Sequence, residues 1–313
     1  MSIATFLNIE RIKISLKILI CFFLILTSFK SYSINCEFDT LKRKRIMVSS
    51  LGGVYLTNMG ALYNLWYKDY KSSGFHFYND SRQWLGVDKA GHVFSAFVEA
   101  KFSSQMLEWA GFKHRKAVIL GCSYSFLYQT TFEVFDGYSA QWGFSPIDVA
   151  ANSLGTGLVL SQQLIWNENR IKIKYSYYPS SIRKIRPDVF GKNFYENLLK
   201  DYNGQTYWLN VNPRSFLKNS KIPDWLDISF GYGASGMYGG DDNIWVKDGI
   251  THDYTFIHRK AEFYLSPDIN LEKLKVKKKW IKLALNILNS YKIPLPALKY
   301  SNGEGFKFLP IMF

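Results

Sequence analysis

The spacing of apolar and polar residues predicts four helices in the first half of the chain. Apolar side chains recur at helical intervals over roughly residues 46–67, 88–109, 115–135 and 146–166. The second segment stops before Gly111, a residue that often ends helices. The fourth begins at Ser145 and Pro146, with Asp148 three residues after the serine, which is a strong helix start. Each segment approaches the length of a membrane crossing, but none is uniformly apolar over that length.

This pattern fits two architectures. One is a soluble or membrane-associated helical bundle, and the other is a four-helix membrane domain with a polar interior, in which intramembrane charges would be functional. Polar residues in the second and third helices favour the first architecture. Farther on, residues 171–178 alternate like a strand, 193–202 fit a short helix, and 230–240 fit a loop or a bulged strand. We therefore predict a mainly α fold: a four-helix core at 45–168, then a mixed α+β, Tyr-rich, basic C-terminal region with a few strands at 169–313.

Lysines and apolar residues share the segment Leu271–Leu288 at helical spacing, which predicts a basic amphipathic helix. Such a helix can lie in a membrane interface and direct its lysines toward anionic headgroups. The alternative is an ordinary surface helix that packs through its leucine and tryptophan side chains.

Composition and charge narrow the classes of partner. Hydrophobic residues form 47 % of the chain, which is too apolar for a disordered protein. The formal net charge is +14, and most of the excess lies in residues 168–313. The chain shows no recognised nucleic-acid-binding motif, so nucleic acid is not predicted as a partner and an anionic membrane surface is the more economical one. A solvated basic face is the alternative. The sequence identifies no cofactor, no particular metal and no oligomeric state.

Residues 1–33 have the features of a secretory signal peptide. Positive residues precede a short apolar run at Ile18–Leu26, and small residues near Ser33 suit a signal peptidase. An uncleaved membrane anchor is the alternative, although the run is short for a full span. Cys36 lacks the leucine and the small residue expected before a lipidated cysteine, so no lipid anchor is predicted there. These features predict an exported protein, membrane-associated on the periplasmic side of the bacterial cell envelope.

Polar residues interrupt the apolar helices in three pairs at a spacing of four: Asp88 with His92, Gln129 with Glu133, and Asp148 with Asn152. Residues four apart share a helix face. If the three faces converge, one pocket holds an imidazole, two or three carboxylates and an amide. Such a set can perform acid/base chemistry or bind a divalent cation. The candidate catalytic residues are His92, Glu133, Asp148 and Asp88, and the candidate ligand-binding residues are Gln129, Asp136, Asn152 and Trp142.

Several of these residues also have a structural interpretation. Asp88 can cap the second helix, and Asp148 can complete a capping box with Ser145. Asn152 can bridge two helices, and His92 can be a core histidine with both ring nitrogens bonded. The chain shows no P-loop, dinucleotide fingerprint, zinc-type Cys/His spacing or Gly-x-Ser-x-Gly elbow.

The middle of the chain resembles the YfiM-like family of predicted periplasmic lipoproteins, a domain of unknown function. The resemblance rests on Asp88-Lys89-x-x-His92, Glu133-x-x-Asp136-Gly137 and Trp142-Gly143-Phe144-Ser145-x-x-Asp148. It covers roughly residues 45–310 and is most specific in the middle third. More loosely, the chain resembles VanZ-like membrane proteins, which are small four-helix integral proteins linked to glycopeptide tolerance. This resemblance rests on Asp88-Lys89-x-x-His92, Glu133, Asp148 and Asn152-x-x-Gly155. Neither resemblance implies an established reaction.

Two functions are compatible with these features. The first is a membrane-associated structural or binding protein of the envelope, which the export segment and the basic helix support. The second is a hydrolase-like enzyme that acts on a lipid or cell-wall component, with His92 as base and the three acids as metal ligands or orienting groups. The lack of a complete catalytic motif favours the first.

Overall fold

The computed structural model describes residues 40–63 and 71–312. The predicted signal peptide, Cys36 and the last residues of the first predicted helix lie outside these ranges. The long helices of the described chain are α1 (Thr40–Leu62), α2 (Val87–Trp109), α3 (His114–Gly137) and α4 (Pro146–Trp166). The predicted bounds of the second, third and fourth helices are confirmed to within about two residues, the usual uncertainty of a helix end.

Helix α2 packs against both α3 and α4, which also pack against each other. A Cβ atom on Gly155 of α4 would lie 2.2 Å from the Val93 carbonyl oxygen of α2, so only glycine permits this close approach. Phe97, Val118 and Val159, one from each helix, share a buried apolar cluster. Packing therefore fixes the relative positions of the three helices that carry the candidate polar residues.

Strands dominate the second half of the chain. They are β1 (Ile171–Tyr177), β2 (Gln205–Val211), β3 (Leu226–Ser235), β4 (Ile244–Lys247), β5 (Ile250–Asp253), β6 (Lys260–Ile269), β7 (Leu295–Ser301) and β8 (Gly305–Met312). Six of them form one antiparallel sheet in the order β1-β2-β3-β6-β7-β8, and β4 pairs with β5 as a separate hairpin. The shorter helices are α5 (Pro187–Phe190), α6 (Phe194–Lys200), α7 (Pro213–Phe216) and α8 (Lys279–Leu288).

The predicted fold class is wrong. It was a mainly α four-helix bundle, membrane-associated or membrane-embedded, followed by a few strands, whereas the described chain is α+β with extensive antiparallel strands in its second half. The strand predicted at 171–178 is present as β1, but β3 and β6 were not predicted as full strands, because their polarity is reversed. In β3 and β6, Asp227 and Asp268 are buried while Phe230 and Leu265 are exposed. Glycines and Pro267 within these strands also resemble loop signals.

The basic C-terminal helix is shorter than predicted. Leu271–Lys273 form a 3₁₀ turn, and α8 begins only at Lys279. Several of the lysines assigned to the helix therefore precede it in an irregular segment. Within the described ranges, every helix is too short or too polar to cross a membrane.

The helices and the sheet share a core that anchors the start of α2. The Phe94 ring lies against Tyr175 of β1 and Tyr207 of β2, with ring centroids 5.6 Å and 5.9 Å apart. Val87, the first residue of α2, is fully buried in the same region. The first turns of α2, which carry the first pair of candidate residues, are therefore held between the other helices and the sheet.

Candidate functional site

The turn before α2 has a strained backbone. Trp84 and Leu85 both adopt the left-handed region with φ 51°, and Gly86 follows with φ 77°. Each non-glycine residue in this region costs about 1–3 kcal/mol, and such strain tends to gather at functional sites. The Tyr232 hydroxyl donates to the Leu85 carbonyl, and the Trp84 N–H donates to the Gly240 carbonyl at 2.8 Å. Contacts from the second half of the chain therefore hold the turn that directs α2.

Lys89, in the first turn of α2, is surrounded by three carboxylates. Its Nζ lies 2.6 Å from Asp80 Oδ2, 3.0 Å from Asp88 Oδ2 and 2.7 Å from Asp148 Oδ1. Burial alone would lower the pKa of Lys89, but the three carboxylates outweigh burial and raise it. Lys89 is therefore a permanent internal cation that ties the preceding loop and α4 to α2.

His92 joins the acids of the other two helices. Its Nδ1 lies 3.1 Å from Asn152 Oδ1 and 3.8 Å from Glu133 Oε1, and its Nε2 lies 3.5 Å from Asp148 Oδ1. The Glu133 and Asp148 side chains are only 3 % and 7 % exposed, whereas His92 is 29 % exposed. The imidazole therefore forms the side of the cluster that solvent reaches.

Burial and mutual repulsion weaken the acids of this cluster. Burial raises the pKa of Glu133 to about 9, and the charges of Asp148 and Asp136 add to the shift. Burial also raises the pKa of Asp88 and of Asp148. It acts in the same direction on Asp80, but hydrogen bonds, the largest with Asp148, outweigh it and lower the pKa of Asp80. At neutral pH the cluster consequently holds a proton that an isolated glutamate would release.

The charges of the cluster do not balance within its own side chains. One ammonium, that of Lys89, pairs with three carboxyl groups, those of Asp80, Asp88 and Asp148, while the nearby Glu133 holds its proton at neutral pH. Possible metal ligands lie within 4.8 Å of one another in two groups: His92 with Glu133 and Asp148, and Asp80 with Asp88 and Asp148. Lys89 already sits among the acids of the second group and supplies their positive charge. The first group is therefore the candidate metal centre.

Four buried polar atoms at the cluster have no hydrogen-bond partner in the described part of the chain: Lys89 Nζ, Asp148 Oδ1, Asn152 Nδ2 and Asp88 Oδ1. The first two form an ion pair at 2.7 Å, which leaves Asn152 Nδ2 and Asp88 Oδ1. Asn152 is 0 % exposed, and an unpaired buried donor costs about 1–3 kcal/mol. Such a cost is expected where a bound molecule completes the hydrogen bonding. The other end of the same amide contacts His92 Nδ1 at 3.1 Å, so this donor lies next to the candidate metal centre.

The structural interpretations of the acids apply only in part. The Asp148 backbone N–H donates to Ser145 Oγ at 3.1 Å, so the predicted helix cap is present. The Asp148 carboxylate is nevertheless turned to Lys89. Gly86, not Asp88, occupies the N-cap of α2, and the Asp88 carboxylate also contacts Lys89. Both acids therefore contribute to the cluster in addition to any role in starting a helix.

Three of the predicted ligand-binding residues, Gln129, Trp142 and Asp136, are not among the side chains that contact Lys89 or His92 in the distances given above. Gln129 donates from Nε2 to Glu99 Oε2 at 3.0 Å and so belongs to a second polar group, in which burial raises the pKa of Glu99 to about 8. The backbone carbonyl of Trp142 lies 2.7 Å from His76 Nε2, which fixes the linker between α3 and α4. Asp136 acts on the cluster through its charge, by raising the pKa of Glu133.

Sequence reasoning missed Asp80 and gave Lys89 no role. Asp80 lies in the loop before α2, and Ser145 Oγ donates to its Oδ1 at 2.6 Å. No local pattern marks this aspartate, because its partners come from other elements. A role for Lys89 could have been predicted from the sequence. A lysine among apolar helix residues stays buried only when it is paired, so its position implies an acidic partner.

Residues 74–163 match the model of a family described as predicted periplasmic lipoprotein (DUF2279). The matched segment contains the loop with Asp80, helices α2 and α3 and most of α4, and so includes every residue of the cluster. That description agrees with the exported envelope location predicted from the sequence. The YfiM-like and VanZ-like resemblances stay predictions. No curated protein and no solved structure matches the chain.

Proposed function

We propose that this chain is a cell-envelope hydrolase whose centre is a divalent cation held by His92, Glu133 and Asp148. The observation that carries the proposal is the convergence of one ligand atom from each residue, within 4.8 Å of one another, from three different helices. The sequence alone favours a structural or binding role, because a complete motif is lacking. The convergence supports the enzymatic alternative.

The ligand set suits a first-row transition metal such as zinc or manganese. An imidazole nitrogen combined with carboxylate oxygens is a common donor set for these ions. The unbalanced negative charge of the cluster favours a cation. Lys89 Nζ lies 2.7 Å from Asp148 Oδ1, the oxygen that also faces His92 Nε2, and this contact fixes the orientation of the carboxylate. Three protein ligands leave positions for water and substrate.

The chemistry that fits this arrangement is ester hydrolysis. His92, Glu133 and Asp148 would hold the cation, which would supply a water activated for attack on the carbon or phosphorus of an ester. Hydrolysis adds that water across the bond to the leaving oxygen: the hydroxyl goes to the carbon or phosphorus, and the proton goes to the leaving oxygen. The free N–H of Asn152 is available to donate to the oxygen that gains charge. We propose an ester of an envelope lipid or cell-wall component as substrate.

Titration calorimetry with Zn²⁺ and with Mn²⁺ tests the cation site. We expect one ion per chain, with affinity reduced at least about 100-fold in His92→Ala and Glu133→Gln, because a lost ligand should cost more than the 10–100-fold typical of an outer partner. The matched control is Glu99→Gln. Glu99 lies on α2 and, like Glu133, is an acid whose pKa burial raises. Because it lies outside the cluster, the control should bind the cation like wild type.

Chromogenic carboxylic and phosphoric esters test the reaction with the same variants. We expect turnover that needs the added cation, stops on chelation, disappears in Glu133→Gln and persists in Glu99→Gln. Equal affinity in all four chains, or turnover that survives both chelation and the two ligand substitutions, would contradict the proposal.

Cation binding should strengthen as pH rises. The pKa of Glu133 is about 9 in the cation-free protein, so an ion that binds at neutral pH must displace that proton. Each such proton makes the apparent affinity rise about tenfold per pH unit below the pKa. Calorimetry at several pH values between about 6 and 8, in buffers of different ionisation enthalpy, measures both the slope and the proton release. A pH-independent affinity would show that Glu133 is not a ligand.

A membrane-associated role remains a second proposal. Trp280 and Leu288 of α8 are 68 % and 52 % exposed, and exposed lysines lie in and before the helix. These side chains could bind an anionic membrane surface. A lipid anchor would serve the same end: the matched family's description supports one, while Cys36 lies outside the described residues.

A further inference from the structure

The six-stranded sheet has a reversed polarity. Lys174 Nζ lies 2.8 Å from Asp268 Oδ2 with both side chains 0 % exposed. On the same side, Lys299 Nζ lies 2.6 Å from Glu262 Oε1. An antiparallel sheet in water normally buries its apolar side and exposes its polar side. Here the charged side is buried, and the side that remains exposed is apolar.

The exposed side consists of two continuous rows of cross-strand partners over β2, β3, β6, β7 and β8. The first row contains Tyr207, Tyr232, Phe263, Tyr300 and Phe306. The second row contains Leu209, Phe230, Leu265, Leu298 and Phe308. We call these two rows together the outer face.

The outer face is wide and accessible. Every member of the second row is between 41 % and 65 % exposed, and Phe306 at the end of the first row is 73 % exposed. Among the described residues, the end near α2 is covered: Tyr207 packs against Phe94, and the Tyr232 hydroxyl donates to the Leu85 carbonyl. Neighbouring strands lie about 4.8 Å apart, so five strands span about 19 Å. Monomeric soluble proteins rarely leave a contiguous apolar surface of this extent in water.

A basic segment follows one strand of the outer face and indicates what covers that face. Strand β6 contributes Phe263 to the first row and Leu265 to the second, and ends at Ile269. Four residues farther on, the segment 273–282 carries six exposed lysines, of which Lys273 pairs with Glu168 at 3.1 Å. Anionic headgroups attract a basic segment of this kind, and hydrocarbon beside them accommodates an apolar sheet surface. The pairing of an apolar face with a basic border fits a lipid layer better than it fits a second copy of this positively charged chain.

We propose that the outer face contacts the acyl chains of an anionic membrane, with the basic segment 273–282 at the headgroups. This surface is separate from the cation site and does not depend on the hydrolase function. It shares Lys279 and Lys282 with α8, but its apolar side chains come from strands.

Vesicle flotation with a row variant tests the proposal. The variant combines Phe230→Ser, Leu265→Ser and Phe308→Ser, and the matched control combines Val246→Ser, Ile250→Ser and Phe256→Ser. The control residues lie in or beside the β4–β5 hairpin and are 69 %, 63 % and 73 % exposed. With vesicles that contain phosphatidylglycerol, we expect wild type and control to float and the row variant to remain in the lower fractions. Equal flotation of the row variant and the control overturns the proposal.

Photo-cross-linking covers the case in which the row variant fails to fold. A benzophenone amino acid in place of Phe308, on the edge strand β8, should attach to the acyl chains of the vesicles. Mass spectrometry identifies the product. Two results together would assign the outer face to a second copy and overturn the proposal. They are a cross-link between two protein chains, and sedimentation that shows a dimer for wild type but a monomer for the row variant.

Discussion

Replacing Lys89 with methionine should destabilise the protein by about 3–5 kcal/mol at neutral pH, the usual cost of removing one partner from a buried ion pair. The substitution leaves Asp80, Asp88 and Asp148 crowded around an apolar side chain without their cation. Their pKa values should rise, so the folded variant should bind more protons than its unfolded chain. A folded state that binds more protons than its unfolded chain loses stability as pH rises. The stability difference between the variant and wild type should therefore shrink when the pH is lowered from about 7 to 5.

Urea unfolding at several pH values measures this effect, with Lys260→Met as the matched control. Lys260 pairs with Glu304 at 2.6 Å, the same distance as Lys89 to Asp80, but both control side chains are more exposed, at 28 % and 53 %. Exposed pairs contribute at most about 1 kcal/mol. If the two variants were equally stable at neutral pH, Lys89 would not have the structural role assigned to it.

Replacing Gly155 with alanine should impair both the fold and the site. The added Cβ would lie 2.2 Å from the Val93 carbonyl oxygen and 3.0 Å from the Phe97 nitrogen, so α2 and α4 must move apart. Overpacking of this kind costs about 1–3 kcal/mol. The movement should also separate His92 from Asp148, and a displacement of about 1 Å in a catalytic arrangement can reduce activity about 100-fold. We therefore expect lower stability and much weaker cation binding together.

Gly157, two residues along the same helix, provides the control. A Cβ there would meet nothing within 4 Å, so Gly157→Ala should stabilise the helix by about 0.5–1 kcal/mol and leave cation binding unchanged. Thermal unfolding and calorimetric titration of the two variants compare the effects directly. Similar behaviour of both variants would show that helix spacing does not control the site.

The helical half of the fold follows from local pattern. Ser145 and Pro146 mark the start of α4, and a spacing of four residues correctly places Asp148 and Asn152 on one side of it. Whether these two residues meet His92 and Glu133 depends on how the helices pack, and local sequence patterns do not predict helix packing. The close contact at Gly155 is one cause of that packing.

The sheet as a whole could not be predicted in the same way. Alternation at 171–178 predicted β1, but β3 and β6 invert the usual polarity: Asp227 and Asp268 are fully buried, while Phe230 and Leu265 are exposed. A rule that expects apolar residues inside assigns such segments to loops. Asp80 was missed for a related reason: its role depends on contacts with Lys89 and Ser145 that form only after folding.

Anomalous X-ray diffraction from crystals grown with Zn²⁺ tests the central claim most directly. We predict one anomalous peak about 2.0–2.2 Å from a ring nitrogen of His92 and from carboxylate oxygens of Glu133 and Asp148, the normal range for zinc. The peak should be absent from crystals of Asp148→Asn grown in the same way. A fully bound zinc at another place, with these three side chains unligated, would contradict the account.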